Sequence, residues 1–275
     1  MSVIPYLKLC RADAALIAFF SYLVGAELAG GTDLYDVLIA AAVTLISTNF
    51  IYSFNSWADR SIDRINKPDR PIPSGNIEPE RALIYSLVLL ILSVVYPFFV
   101  FESHFTLLLF LLLPALGLVY SARPFRIRRY PSPAIVIICL GLVTPIMLGY
   151  FMNASDTSLI PFFVALFLYC LSVVPLKEIE EVEEDKRGGY HNLYSRFGER
   201  ILIYSLCGLS VVLLLVLFSN IEYLFKVYTL IFTISSMGCI LVFARVRKKL
   251  QRLYQTIIHL VIIEGIVFYM ILKVV

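Results

Sequence analysis

Two acidic clusters stand out in the 275-residue chain, each where a long apolar stretch ends. The first is Asn55-Ser-Trp-Ala-Asp59-Arg-Ser-Ile-Asp63, and the second is Lys177-Glu178-Ile-Glu180-Glu181-Val-Glu183-Glu184-Asp185. Asn55, Asp59 and Asp63 are spaced i, i+4, i+8, so a helix carries them as one stripe with about 6 Å of rise between members. Glu181 and Asp185 repeat the i, i+4 spacing, Glu178 lies three residues earlier on a similar face, and Glu180 and Glu184 form a neighbouring stripe. Carboxylates are costly beside a bilayer and mark function there. Oxygen ligands in this pattern suit magnesium, which shares itself between one or two carboxylates and substrate phosphates. Two such stripes facing each other would hold a diphosphate between metal ions, and metal at a membrane points to a diphosphate lipid. A solvated, charged helix end is the competing reading. It suits the second cluster better than the first, which runs straight on from an apolar span.

Residues that suit phosphate surround these acids. The first cluster leads into Asn66-Lys67-Pro-Asp-Arg70-Pro71-Ile-Pro73-Ser-Gly75, where three prolines and a glycine fix a rigid turn. A third segment reads Tyr120-Ser121-Ala-Arg123-Pro124-Phe-Arg126-Ile-Arg128-Arg129. Arginine binds phosphate oxygens bidentately. Anchoring at lipid headgroups explains Arg128 and Arg129, so Arg126 and Tyr120 are the expected site residues. Lys67, Arg70, Lys177 and Lys186 either contact a diphosphate or balance the nearby acids.

The elements that must position these groups are apolar helices. The chain is 60% hydrophobic with mean hydropathy +0.85, well above the roughly 45–50% apolar content of soluble domains. Nine apolar runs approach the length of about 20 residues that spans a bilayer: 14–31, 36–55, 81–101, 105–120, 133–152, 158–176, 200–219, 223–243 and 254–274. If they alternate across a membrane, every Lys and Arg except Lys226 and Lys273 falls on one side. That side is then cytoplasmic, and both acidic clusters lie on it. One membrane domain spanning 1–275 in the cell membrane is expected, with no cleavable signal peptide. The five cysteines are scattered and lack zinc-ligand spacing. Trp57 suits an interface anchor. Glu27, Asn49, His259 and Glu264 lie inside apolar runs, where interhelix contacts account for them as well as function does.

With these residues the chain resembles the UbiA superfamily of intramembrane prenyltransferases over nearly its full length. The superfamily pattern NDxxDxxxD is met by Asn55, Asp59 and Asp63, and the RPxxxG turn by Arg70, Pro71 and Gly75. A YSxxPxRxKR-like segment is met by Tyr120, Ser121, Pro124, Arg126, Arg128 and Arg129, and a KDxxDxxGDxxxG-like segment by Lys177, Glu181, Asp185 and Gly188. There are departures. Ser56 stands where Asp is usual, Glu178 and Glu181 where Asp is common, and Glu184 where Gly is common. Tyr190-His191-Asn192-Leu193 replaces the common xxTL.

The resemblance implies an all-α polytopic membrane protein with nine transmembrane helices around a central cavity, capped by charged cytoplasmic loops. It implies Mg2+ as cofactor, with Asp59, Asp63, Glu178, Glu181 and Asp185 as ligands and Asn55 in the catalytic set. Lys67, Arg70, Tyr120, Ser121, Arg126, Lys177 and Lys186 would hold the diphosphate. The reaction is loss of diphosphate from an allylic isoprenoid and capture of the cation-like carbon by a lipophilic acceptor. Residues 62–68 and 70–75 resemble archaeal enzymes that alkylate a glycerol-phosphate ether lipid, which favours geranylgeranyl diphosphate as donor and geranylgeranylglyceryl phosphate as acceptor. Residues 120–129 look equally like chlorophyll-synthase and quinone-pathway relatives, so an aromatic acceptor stays open. Membrane lipids are expected partners and nucleic acid is not. Two other readings remain at this point: an isoprenoid cyclase on the same scaffold, and a transporter or lipid-binding protein without chemistry.

Overall fold

The structure, a computed structural model, describes residues 3–30, 33–100, 104–154, 157–188, 191–219, 223–245, 250 and 252–274. Among these residues every regular element is helical. In chain order they are α1 (Ile4–Leu9), α2 (Ala12–Leu28), α3 (Leu34–Ala58), α4 (Arg60–Asn66), α5 (Pro79–Val100), α6 (His104–Ser121), α7 (Pro131–Asn153), α8 (Ile160–Val173), α9 (Lys177–Gly188), α10 (Leu193–Phe197), α11 (Arg200–Phe218), α12 (Tyr223–Arg245) and α13 (Leu253–Val274). Short 3-10 turns, Ile127–Arg129 and Val174–Leu176, precede α7 and α9. Each apolar run read from the sequence overlaps a helix. Six segments are long and apolar enough to cross a membrane: within α3, α5, α7, α11 and α12, and along Ile160–Glu183, where α8 continues into α9. Shorter apolar stretches occupy Thr106–Ser121 of α6 and Leu253–Val267 of α13. Short connections are expected between the apolar runs at 31–35, 101–105, 153–157 and 220–222; of these, residues 31–32, 101–103, 155–156 and 220–222 lie outside the described residues, as does Tyr190 of the departing motif.

The helices form two compact units, Met1–Ser155 and Asp156–Val275. In the first unit, α3 packs on α2, α5 and α6, while α7 packs on α2 and α6. The α2–α7 crossing depends on two glycines. A Cβ at Gly25 would overlap the carbonyl oxygen of Ile146, and one at Gly149 would overlap that of Tyr22. Two backbones can approach this closely only where side chains are absent, the usual way membrane helices gain contact area. Tyr22, Phe110, Leu113 and Leu148 fill the core beside the crossing. Buried hydroxyls in α3 are satisfied within the helix: Thr44, Ser47 and Thr48 donate to the carbonyls of Ala40, Val43 and Thr44. Ser86 of α5 donates to Ser53 of α3 at 3.1 Å.

The outer face of α5 shows the opposite chemistry. Ile84, Val88, Ile91, Val95 and Phe98 form a continuous apolar stripe with exposures of 61%, 48%, 58%, 45% and 57%. Such a stripe suits a helix that faces lipid. In the second unit, α11 packs on α8 and α12, and α12 packs on α13. Tyr169 of α8 shares a hydrogen bond of 2.6 Å with Ser236 of α12, and its ring meets Phe232 edge-on at 4.5 Å.

The crossing yields a paired test. Gly149→Ala should lower thermal stability in detergent by about 1–3 kcal/mol, because the backbone opposite cannot yield. Gly141→Ala, on the same helix with nothing within 4 Å of the added carbon, should be neutral or raise stability by up to about 1 kcal/mol.

Candidate active site

The first acidic stripe forms as the spacing predicts, with one modification. α3 ends at Ala58 and α4 starts at Arg60, so Asp59 is the joint between them. Helical hydrogen bonds still cross it. The amide of Asp59 donates to the Asn55 carbonyl at 2.9 Å, that of Asp63 to Asp59 at 2.9 Å, and that of Lys67 to Asp63 at 2.7 Å. The stripe therefore survives the joint, and each member is bonded through the backbone to the next.

Both aspartates are almost fully buried, at 1% and 3% exposure. A carboxylate withdrawn from water needs a cation or a dense set of donors, and three arginines supply it. Arg70 Nη1 lies 2.7 Å from Asp63 Oδ2. Arg126 Nη2 lies 3.6 Å from Asp59 Oδ1, and Arg128 Nη1 pairs with Asp59 Oδ2. Three guanidiniums against two carboxylates leave the cluster with surplus positive charge, a setting that favours an anion.

Local sequence delivers these arginines. The turn after α4 is the rigid one its prolines predict: Ser74 N donates to Arg70 O, Gly75 N to Ile72 O and Ile77 N to Pro71 O, at 2.9, 3.1 and 3.0 Å. Gly75 takes φ +77°, a left-handed conformation suited to glycine. Ile72 and Ile77 are buried with Leu9 and Ala82, which pins the turn and aims Arg70 back at Asp63. At the end of α6, Ser121 Oγ donates to Asn55 Oδ1 at 3.4 Å, and Tyr120 is half-buried beside it in sequence. Arg126 sits at φ +41°, unusual for any residue other than glycine, and turns the segment sharply into Ile127–Arg129. Its Nη2 also donates to the Ala58 carbonyl at 3.4 Å.

One residue is reassigned by this geometry. Arg128 reads from sequence as a headgroup anchor with Arg129, yet it is the guanidinium on Asp59, while Arg129 is exposed. The 3-10 turn separates the two neighbours, and only its conformation decides which points inward. Ser56, where a second acid is usual, is tied to the Leu9 carbonyl at 3.4 Å. Trp57 packs on Phe54 with ring centroids 5.5 Å apart and carries Arg60 over its face at 4.8 Å. Asn49 has its Oδ1 buried with no hydrogen-bond partner among the described residues.

In the second unit, the second cluster occupies α9. Lys177 Nζ pairs with Glu181 Oε2 at 2.9 Å, one turn along the helix. Glu178 Oε2 accepts from Leu193 N at 3.1 Å, and Glu180 Oε1 from Gln255 N at 3.1 Å. Lys186 is exposed in the last turn. Asn192, absent from the sequence-based site, organises this end. Its Nδ2 donates to Asp185 Oδ2 at 2.7 Å and to the Glu178 carbonyl at 3.0 Å. Its Oδ1 caps α10 by accepting from Tyr194 N and Ser195 N at 2.9 and 3.2 Å. The readable signal was an Asn immediately before a short helix.

Among the described residues, no three His, Cys, Asp or Glu side chains converge into a cage for metal. Magnesium does not need one: it keeps waters and takes one or two carboxylates together with phosphate oxygens. The all-oxygen set on each cluster, with Asp59 and Asp63 buried on one stripe, fits that requirement.

A multi-pass helical membrane protein whose buried aspartates face a surplus of arginine is, by class, suited to bind an anion. The UbiA prenyltransferase family matches residues 16–256, running through both units, and the chain belongs to that family. It is therefore a prenyltransferase. A digeranylgeranylglyceryl phosphate synthase from Methanosphaera stadtmanae is 30% identical over 231 residues, covering 84% of this chain and 82% of the relative. One from Methanothermobacter thermautotrophicus is 30% identical over 199 residues, covering 72% and 68%. A solved UbiA homologue from Archaeoglobus fulgidus, bound to GPP and Mg2+, shares the fold at TM-score 0.75 and 20% identity, covering 96% of this chain and 99% of that one.

Two paired comparisons test the site's internal bonding. Arg128→Gln should destabilise the protein by about 1–3 kcal/mol, because it strips a partner from a buried carboxylate, whereas Arg129→Gln should stay within about 0.5 kcal/mol of the parent. Thermal unfolding in detergent separates them. Asn192→Asp keeps the capping oxygen but loses the donor to Asp185 and sets a like charge against it. It should therefore unfold at a lower temperature than Asn192→Ala, which loses the cap and its hydrogen bonds for about 1–2 kcal/mol.

Proposed function

We propose that this prenyltransferase moves a geranylgeranyl group from geranylgeranyl diphosphate to geranylgeranylglyceryl phosphate in ether-lipid synthesis, with Mg2+ as cofactor. The observation that carries the reading is the buried Asp59–Asp63 stripe answered by Arg70, Arg126 and Arg128. The names of the archaeal relatives support the donor and acceptor, and the ligands of the Archaeoglobus fulgidus homologue support an isoprenyl diphosphate with magnesium.

Magnesium would be held by Asp59, Asp63, Glu178, Glu181 and Asp185, and when bound it neutralises charge on the leaving group. The chain's own residues do the rest. Arg70, Arg126 and Arg128 place positive charge where the diphosphate gathers negative charge, held in advance by their ion pairs. Lys67, Lys177 and Lys186 add charge, and Tyr120 and Ser121 add hydroxyl donors. Asn55, with Ser121 on its amide oxygen, orients the start of the stripe. The allylic carbon–oxygen bond breaks with its electron pair leaving on the diphosphate. The acceptor hydroxyl oxygen then bonds that carbon and passes its proton to an oxygen of the released diphosphate. In this reading the nine apolar runs all cross the cell membrane and enclose a central cavity for the prenyl chain. Residues 1–275 act as one domain, with the clusters and their charged loops on the cytoplasmic side, where nearly all Lys and Arg collect.

The test is an assay of purified protein with magnesium and geranylgeranyl diphosphate, offering geranylgeranylglyceryl phosphate and 4-hydroxybenzoate in parallel. Mass spectrometry should find the diether phosphate. That product should vanish with EDTA and fall by about 10²-fold or more in Asp59→Asn. A prenylated aromatic would move the acceptor to the quinone branch, and a cyclised hydrocarbon would replace transfer by cyclisation. Absence of diphosphate release by folded protein would overturn the reading.

A further inference from the structure

The segment that closes on Asp59 has a second, outward face. Arg126 and Arg128 turn to Asp59. Arg123 and Arg129 do not: both are exposed, and neither has an acidic partner among the described residues. Together with Pro124, Phe125, Arg126 and Tyr130 they line a surface pocket of about 640 Å³. That volume is in the range of ligand pockets, roughly 300–1,000 Å³. Its backbone is fixed by hydrogen bonds from Arg126 N to Ala122 O, Arg129 N to Arg126 O and Tyr130 N to Ile127 O, at 2.7, 3.1 and 2.8 Å. Phe125 and Tyr130 are 59% and 58% exposed, and they stand where apolar α6 ends and α7 begins. Exposed aromatic rings at such ends sit at headgroup level.

We propose that this pocket binds the phosphate monoester of the lipid acceptor, gripped by Arg123 and Arg129, with Phe125 and Tyr130 against the glycerol ether. The inference rests on the proposed reaction, in which the acceptor keeps its phosphate while its hydroxyl is alkylated. The reaction centre therefore handles two anions, and one set of guanidiniums cannot serve both at full strength. The structure divides the arginines accordingly. Arg128 is committed to Asp59, Arg123 and Arg129 to the pocket, and Arg126 stands in the wall between them, lining the pocket while its guanidinium reaches Asp59. Headgroup anchoring explains exposed arginines, but not their convergence with two aromatic rings on one surface pocket.

The experiment uses full-length protein in nanodiscs of zwitterionic lipid. Binding of geranylgeranylglyceryl phosphate, its dephosphorylated analogue geranylgeranylglycerol, phosphatidylglycerol and inorganic phosphate is measured by native mass spectrometry. Parent protein is compared with the Arg123→Gln/Arg129→Gln double variant. The acceptor should bind the parent more tightly than the other three probes. The double variant should lose about tenfold or more in acceptor affinity, the scale of one charge-assisted hydrogen bond, with geranylgeranylglycerol binding unchanged. In steady-state assays the acceptor KM should rise by a similar factor while the donor KM holds, whereas Arg126→Ala should raise the donor KM. Equal acceptor binding by variant and parent overturns the proposal. So does phosphatidylglycerol binding as tightly as the acceptor, which makes the pocket a general headgroup site, or equally tight inorganic phosphate. If the double variant fails to fold, Arg129→Gln alone decides by the same readouts. A parent protein that makes no diether phosphate refutes the proposed reaction, while the binding measurements still decide the pocket.

Discussion

A carboxylate removed from water must be met by positive charge or it destabilises everything around it. The first unit is arranged around two such groups. Asp59 and Asp63 are buried at the end of a membrane-length helix, and three guanidiniums are brought to them from outside that helix. That requirement explains features that would otherwise look arbitrary: a proline-rich turn locked by its own hydrogen bonds, isoleucines that pin it under Leu9, and a 3-10 turn entered through a left-handed arginine. None of these segments is a passive connection. The proline-rich turn holds one cation at a fixed place, and the segment around the 3-10 turn holds two.

The same ion pairs prepare the site for chemistry. A prenyl diphosphate ionises by pushing negative charge onto its leaving group, and preorganised cations stabilise that charge without reorganising during the step. Arginines already fixed against carboxylates are preorganised in this sense. Their surplus over the two acids leaves capacity for an anion. The second unit solves a related problem with neutral groups. There Asn192 uses its amide to tie Asp185 to the Glu178 backbone while capping the next helix, so a helix with six clustered acids is held by hydrogen bonds as well as by Lys177.

Beneath the charged ends, the apolar helices keep these groups in register. Lipid supplies no hydrophobic drive between helices, so close backbone contact and satisfied hydroxyls must do that work. Gly25 and Gly149 allow α2 and α7 to touch through their backbones, and the hydroxyls of α3 close on their own carbonyls. Because Asn55 lies in the last turn of α3 and Asp59 caps it, the packing of α3 on α2, α5 and α6 sets where the stripe begins.

What was legible in the sequence was what depends on near neighbours along the chain. Helix positions followed from apolar runs, and the membrane character from their length and composition. The Asn55–Asp59–Asp63 stripe followed from its period of four, and the rigid turn from Pro71, Pro73 and Gly75. Residue identity alone was enough, because each of these reflects forces within a few residues. Tertiary structure alone decided which arginine answers which acid. Arg128 and Arg129 are adjacent and chemically identical, and a single turn sends one to Asp59, nearly seventy positions away, and the other to an open pocket. Asn192 likewise gained its role from Asp185 and Glu178, and Gly149 from Tyr22. A long, flexible, charged side chain carries no local mark of its partner. Its direction is set by where the fold has buried an opposite charge.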